Sequence, residues 1–405
     1  MILKIAFRNV FRQKRRSLLT ALTMVGEFVL TAISIGWSDG TYSSVINMFT
    51  RNRLGHIQIH GKGYLDKPSI YNTIRNYRKI GKDIKEIKDV NSWSPRLFAA
   101  GIASLKEKST GIEVIGIDPR LEKRTTHFNN KIIKGGAFSA EPSKEVIIGK
   151  GLAEILDAEA GKDEIVILSQ AADGSIANDL YRVRGIIDSG DPMQNRTAVY
   201  VHLKDAQSLF VLEGQIHEIA VIVNHLDQVE EIMQKISQKL NKSSLSVASW
   251  KEFARSFYQA MKADQQGMWI MLFVIMLIVA VGVLNTVLMS VLERTREYGV
   301  LKAVGTRPLG VMGQILLEVI FLALISIVIG SGISYVVNSA LSVHGISLPQ
   351  SFTYGGIEFK TMYSEVNTRS FLLSGLTVLL AALFISLIPA FWAARIKPAK
   401  AMRVQ

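Results

Sequence analysis

The sequence predicts an α-helical membrane domain of four spans, with a large α/β extracytoplasmic domain inserted between spans 1 and 2. Three observations predict it. Apolar runs at residues 17–37, 268–292, 315–337 and 371–392 each supply the roughly 20 residues a helix needs to cross about 30 Å of hydrocarbon. Bases crowd the short flanks of these runs. Residues 38–267, between the first two runs, show instead short segments of alternating apolar and polar residues separated by turn residues.

Charge sets the orientation. The 405 residues carry a net charge of +13. Fourteen bases against two acids lie in the N-terminal arm, the segment after span 2 and the C-terminal tail, whereas residues 38–267 hold 31 bases and 28 acids. A basic excess confined to short flanks is the positive-inside pattern, so both termini and the segment 293–314 are expected in the cytoplasm and residues 38–267 outside. The expected location is the cytoplasmic (inner) membrane, with membrane lipids and not nucleic acid answering the positive charge. With no cysteine, the chain has no disulfide framework, thiolate metal site or thiol nucleophile.

Residues 1–16 read as an amphipathic interfacial helix, with Ile2, Leu3, Ile5, Ala6, Val10 and Phe11 apolar and Arg8, Arg12, Lys14, Arg15 and Arg16 placed for anionic headgroups. Span 1 follows, uncleaved, because its apolar run is longer than that of a signal peptide and no small-x-small site follows it. Glu27 sits near its middle, where an ionised group is expensive, and is a candidate wall of a polar cavity or a partner across a subunit interface.

In the extracytoplasmic domain strands are expected at 57–60, 112–117, 146–148, 165–168, 181–187, 198–201 and 219–223. Tyr181 and Val183 should point one way and Arg182 and Arg184 the other. Asp227 and Glu230 read as a capping box opening a helix with the apolar stripe Val229, Ile232, Met233, Ile236 and Leu240. A second helix from about Trp250 should lead into span 2, and residues 99–138 form a candidate inserted subdomain. Span 2 (268–292) holds no ionisable residue and would be about 37 Å long as a helix. The cytoplasmic segment 293–314 closes with Gly305, Thr306 as the expected cap of the next helix, and Pro308 in its first turn. Span 3 (315–337) keeps one acid, Glu318, and a Gly330-Ser331-Gly332 step suited to close helix approach. A short outer loop (338–370), span 4 (371–392) and a cytoplasmic tail (393–405) complete the chain.

Chemistry is conspicuous by what is missing. No G-x-x-x-x-G-K-[ST] loop is present, and neither a Ser/His/Asp signature nor a G-x-S-x-G elbow occurs. His56 and His60 have H-x-x-x-H spacing without the intervening Glu, and they read as a solvated strand face beside Gln58 rather than a metal site. No catalytic residue, metal site or cofactor is expected in this chain. What remains is the charged junction that follows span 2, in which Arg294 and Glu297 can pair at i,i+3 and Gly299 and Gly305 permit close packing.

That junction, E-R-x-R-E-Y-G-V-L-K-A-V-G over residues 293–305, resembles the signature of FtsX-like permease domains of ABC transporters. The tail P-A-x-x-A-A-R-I-K-P-A-K-A-M-R is similar to that family's closing motif, and the plan of one span, a large outer domain and three more spans is the same. Residues 149–153, 184–190 and 201–210 resemble the lipoprotein-releasing (Lol-type) branch; MacB-type members differ in carrying their ATPase on the same polypeptide. The resemblance implies a non-catalytic permease subunit of a mechanotransmission-type transporter. Two permease chains, identical or paralogous, would pair with two cytoplasmic ABC ATPase subunits that bind ATP and Mg. The ATPase-coupling residues it implies are Glu293, Arg294, Arg296, Glu297, Gly299, Leu301, Lys302 and Gly305. Its client would be a lipoprotein or another amphiphile extracted from the outer leaflet. Met261, Met268, Met271 and Met276, near the outer end of span 2, are with Glu27 the candidate substrate cavity, since flexible Met side chains accommodate acyl chains. An ATPase-driven regulator of envelope enzymes and a ligand-sensing receptor are the alternatives.

Overall fold

The computed structural model describes residues 6–9, 12, 14–139, 141–240, 244–354 and 357–401. The chain divides into two compact units, Met1–Ser44 with Met261–Leu348 and Thr361–Gln405, and Val45–Ala260 with Pro349–Lys360.

The first unit is helical. Four helices, Lys14–Phe49, Arg255–Glu293, Pro308–His344 and Thr368–Arg395, are long and apolar enough to cross a membrane. Large apolar side chains such as Ile270, Phe273, Val328 and Phe384 stay exposed on them, as lipid-facing side chains do. Inward positions are small. Along the fourth helix Ser370, Ser374, Val378, Ala382, Ser386 and Ala390 are buried at four-residue intervals, and along the third Val311, Ile315, Val319 and Ala323 repeat likewise. A ladder of small residues at this spacing lets two backbones approach closely, which is how helices gain dispersion contact where no hydrophobic effect separates protein from solvent. Gly330 receives the ring of Phe28, whereas Gly332 of the same step meets nothing within 4 Å. Of the amphipathic N-terminal helix expected over 1–16, Ile2, Leu3, Ile5, Val10 and Phe11 lie outside the described residues; Ala6 is buried and residues 6–9 are helical.

Several boundaries differ from those read in the sequence. The first helix runs on to Phe49, past the end of its apolar run. The segment read as a short outer loop contains the last turns of the third helix and a two-stranded ribbon, Ile346–Tyr354 with Ile357–Met362. The helix expected from Trp250 is broken at Ala254, and the long helix of span 2 starts at Arg255.

The second unit is built on a ten-stranded mixed sheet. Its strands are β1 (Ile57–Gly61), β2 (Ile74–Arg75, outside the main sheet), β3 (Val90–Leu105), β4 (Lys108–Ile117), β5 (Ile132–Gly135) and β6 (Glu145–Gly149). They continue with β7 (Glu164–Gln170), β8 (Ile176–Ile187), β9 (Ala198–His202), β10 (Gln215–Ile216, paired with β2), β11 (Glu218–Val223) and β12 (Leu245–Ser249). The order is β12-β1-β11-β3-β4-β9-β6-β8-β5, with β7 bridging β3 and β8. The expected alternation on β8 is present: Tyr181 and Val183 are buried, Arg182 and Arg184 exposed. The capping box is not. Asp227 lies in a short 3-10 turn ahead of the helix Val229–Leu240, and Glu230 accepts from Ser249 Oγ at 3.1 Å and faces Lys251 at the same distance. Residues 99–138 form no separate subdomain at their start, because β3 and β4 are one long hairpin at the centre of the sheet.

The expectation of a solvated histidine face is overturned. His56, Gln58 and His60 are each no more than 3% exposed. In register across three strands stand His60, Glu218 and Arg96. Arg96 donates to Glu218 Oε1 at 2.9 Å and to Glu122 Oε1 at 2.7 Å, and Thr126 Oγ1 donates to the same Glu122 oxygen at 2.8 Å. One guanidinium thus serves two buried carboxylates, and Glu122, with its second donor, is the better satisfied. Burial pushes the Glu218 carboxyl up from 4.5 to about 7, the Arg96 charge opposing and the Glu122 charge adding to the rise. Burial likewise holds His60 down at about 4, so it is neutral at pH 7 and its 3.6 Å approach to Glu218 is not an ion pair there. No group of three His, Cys, Asp or Glu able to hold a metal occurs among the described residues.

An acid whose folded pKa is raised contributes stability that is fully present below its unfolded pKa and is lost as pH climbs through the folded one. Glu218 should therefore cost stability between pH 4.5 and about 7, on the order of 3 kcal/mol at most. Thermal melts of the intact chain in detergent across this window should show a downward slope that Glu218→Gln flattens. An equal slope in both proteins would mean that Glu218 is not the titrating group.

Candidate functional site

The long helix of span 2 ends at Glu293, and a new helix, Thr295–Ala303, begins after one residue. Arg294 at the joint has φ −95° and ψ 11°, outside the helical region. Thr295 helps to end the first helix, its hydroxyl donating to the Leu292 carbonyl at 2.7 Å. The new helix closes on a glycine cap. Gly305 has φ +101°, its N–H donates to the Lys302 carbonyl at 3.1 Å, and the Thr306 N–H donates to the Leu301 carbonyl at 3.0 Å. That is the paired reverse bonding of a Schellman motif, which needs a left-handed residue where Gly305 stands. Pro308 opens the third helix as expected, but its N-cap is Arg307, not Thr306.

Arg294 is the hub of this joint. Only 5% exposed, it donates from Nε to Glu297 Oε2 at 2.9 Å and from Nη1 to Glu318 Oε2 at 2.7 Å. Its guanidinium lies 5.2 Å from the centre of the Tyr298 ring, itself 1% exposed. The other Glu318 oxygen accepts from Asn9 at 2.7 Å and Gln314 at 3.4 Å, and Arg12 pairs with Glu297. The N-terminal helix, the short helix and the third span are thus joined through one charged cluster. Partial burial works to raise Glu297, but the hydrogen bond and charge of Arg294, then of Arg12, hold it below the usual carboxylate range.

A second anchor ties the short helix to the fourth span. Lys302 Nζ donates to the carbonyls of Ala394 at 2.8 Å and Ile396 at 2.7 Å, groups left open where that helix ends. Beside it a Cβ placed on Gly299 would come 2.5 Å from the Cβ of Ala401, so only glycine admits the C-terminal turn Pro398–Ala401. Leu301 packs against the buried cluster that contains Tyr298 and Val311.

The eight residues singled out in the sequence therefore divide by direction. Arg294, Glu297, Gly299, Leu301, Lys302 and Gly305 are engaged within the chain. Arg296 faces outward, as does Glu293, which also has a contact of its own. Sequence reasoning missed the outward apolar residues Val300, 47% exposed, and Val304, 83% exposed, although their i,i+4 spacing on a helix was there to be read. It also missed Asn9 and Gln314; Glu318 stood out only as a lone acid in an apolar run. Of the candidate substrate residues, Glu27 is 2% exposed, and its Oε1 has no hydrogen-bond partner in the structure. Met261 is buried, Met268 and Met276 are half-buried and Met271 is 55% exposed.

Residues 269–398, which contain the joint and its anchors, match the family model described as FtsX-like permease C-terminal. The chain is 22% identical over 319 residues to the lipoprotein-releasing system transmembrane protein LolC of Neisseria meningitidis serogroup B, covering 76% of this chain and 75% of that one. It is 22% identical over 416 residues to the macrolide export ATP-binding/permease protein MacB of Pasteurella multocida, covering 98% of this chain but 59% of that longer one. Among solved structures it is similar to the periplasmic region of MacB from Actinobacillus actinomycetemcomitans, at 13% identity and a TM-score of 0.37, over 50% of this chain and 92% of that one. By its joint and its closing motif, the segment 269–398 is an FtsX-like permease C-terminal domain, and over most of its length the chain is similar to permeases of the LolC and MacB type.

Proposed function

We propose that this chain is the membrane subunit through which a separate cytoplasmic ABC ATPase, binding ATP and Mg, drives movement of the α/β domain, and that the movement releases a lipoprotein or another lipid-anchored client from the outer leaflet. The observation that carries the reading is the short helix Thr295–Ala303, pinned at Arg294 and Lys302 to the third and fourth spans while Arg296, Val300 and Val304 face outward. An element fixed on its inner face and bare on its outer face hands a push to the spans without bending first. The helix Arg255–Glu293 then carries that push along 39 residues without a break. Two ATPase subunits and a second permease chain, identical or paralogous, complete the assembly. The named relatives, a lipoprotein-releasing transmembrane protein and an export permease, support the client class. Met271, exposed on the second helix, lines the client's path where the second permease chain closes against the first.

In this reading both termini lie in the cytoplasm and the α/β domain outside. The cysteine-free sequence makes that measurable, since Ser175 and Val304 are both exposed. An impermeant maleimide given to cells with a permeabilised outer envelope should label Ser175→Cys and spare Val304→Cys. Labelling of Val304→Cys from outside would reverse the topology.

The outward valines test the coupling. Reversing Glu297 would also break its pair with Arg294, so Val300→Asp with Val304→Asp is the cleaner change. A valine fully buried at an interface is worth about 1.5–3 kcal/mol, so ATPase copurification with the double variant should fall at least about tenfold while membrane insertion is unchanged. Undiminished copurification would show that the ATPase does not dock on this face.

A further inference from the structure

The face of the sheet that carries the buried charged row is the floor of an open cavity of about 780 Å³ within the α/β domain, a volume typical of small-molecule sites. Register fixes the floor. Behind His60, Glu218 and Arg96 comes an apolar row in which Phe98, Ile115 and Tyr200 stand opposite one another, and then Ala100, Glu113 and Ala198. Leu54, Phe128 and Ile187 add to the apolar wall.

Both signs of charge line this cavity: Arg53, Arg96 and Lys131 against Glu113, Glu122 and Glu218. Arg96, Glu122 and Glu218 satisfy one another. Glu113, Arg53 and Gln194 stand outside that set. Glu113 is exposed within the concavity and has no ion pair among the described residues. Arg53 spends one terminal nitrogen on Asp191, and its buried Nε has no hydrogen-bond partner among the described residues. Gln194, 8% exposed and on the same wall, leaves its Oε1 unpartnered too. Burial holds Lys131 down at about 8, with the Glu122 charge opposing and Arg96 and Arg53 adding to the fall, so a new anion beside it would favour its charged form. An apolar molecule would leave Glu113, Arg53 and Gln194 desolvated and unsatisfied, and a bare ion would leave the aromatic floor wet. A simple cation would face two arginines and a lysine; a simple anion would face Glu113.

We propose that this cavity binds a zwitterionic amphiphile of the aminophospholipid class, with its ammonium on Glu113, its phosphate toward Lys131 and Arg53, and its apolar part along Phe98, Ile115 and Tyr200. The site is independent of the client and of the ATPase.

The test uses the intact chain in a maltoside detergent and a lysophosphatidylethanolamine carrying a diazirine in its acyl chain. After illumination, labelled peptides from residues 96–131 are expected, and both Glu113→Gln and the cavity-filling Ala100→Trp should lower that labelling at least fivefold. Glu113 and Ala100 are both exposed, and an unchanged melting temperature shows that each variant is folded. The matched lysophosphatidylglycerol probe, which lacks the ammonium, should label these peptides several-fold less. Three results overturn the proposal: labelling confined to the four long helices, equal labelling by the two probes, or full labelling of Glu113→Gln. Soluble O-phosphoethanolamine should compete far more weakly than unlabelled lysophosphatidylethanolamine; equal competition would assign the site to a free headgroup and remove the amphiphile.

Discussion

The helical unit depends on where one positive charge is put. Arg294 leaves water at the end of an apolar helix, and an uncompensated guanidinium there would cost several kcal/mol. The chain meets that cost with Glu297 from the same short helix, Glu318 from the third span and the face of Tyr298. Glu318 is in turn completed by Asn9 and Gln314. The partners come from three stretches of sequence, Asn9, the short helix and the third span, so satisfying the charge also fixes the angle at which the second helix meets the short one. A lysine would not reproduce this, because Arg294 reaches its two carboxylates from separate nitrogens, Nε and Nη1, of one planar group that also lies near the Tyr298 ring. Glu318, the one acid in the apolar run of span 3, is the counter-charge of the joint.

The α/β domain solves a related problem with a different balance. There one guanidinium is shared by two carboxylates, so the cluster of Arg96, Glu122 and Glu218 keeps an excess of negative character, and the more weakly held acid titrates near neutrality. At the joint Arg294 is joined by Arg12 against Glu297 and Glu318, and the charges match one for one. The first arrangement leaves the Glu218 carboxyl raised by burial; in the second, Arg294 and Arg12 hold the Glu297 carboxyl below the usual range.

Much of this was legible in the sequence. The four spans, the charged joint, Gly305 as a helix end and the alternation on β8 follow from local pattern and backbone preference, which act over a few residues. What escaped notice depends on partners distant in sequence. His56, Gln58 and His60 look solvated on a polar alternating strand, but that strand lies inside the sheet between β11 and β12 and is buried along its whole length. Residues 90–105 carry a proline, a glycine and four serines or asparagines, and so do not read as a strand, yet β11, β4 and β7 hold them extended. Glu230 was read as a cap because its helix is local; Ser249 and Lys251, its actual partners, come from the following strand and turn. The outward valines at the joint were passed over in favour of the charged residues around them, although three of those, Arg294, Glu297 and Lys302, are engaged within the chain.

The pairing of β1 carries a consequence for how the domain comes into being. This strand, laid down at residues 57–61, finds its neighbours only at 218–223 and 245–249. Closing so long a loop costs little more than closing one half its length, but it is slow, because entropy must be lost before any contact rewards it. Until residue 223 has been synthesised β1 has neither neighbour, and until residue 249 it lacks the second, so its backbone groups stay unpaired, the condition in which strands join the wrong chain. The sheet closes only a few residues before the helix of span 2 begins at Arg255. Birth order thus leaves a narrow interval in which the nascent domain is complete and its second membrane anchor has yet to be made.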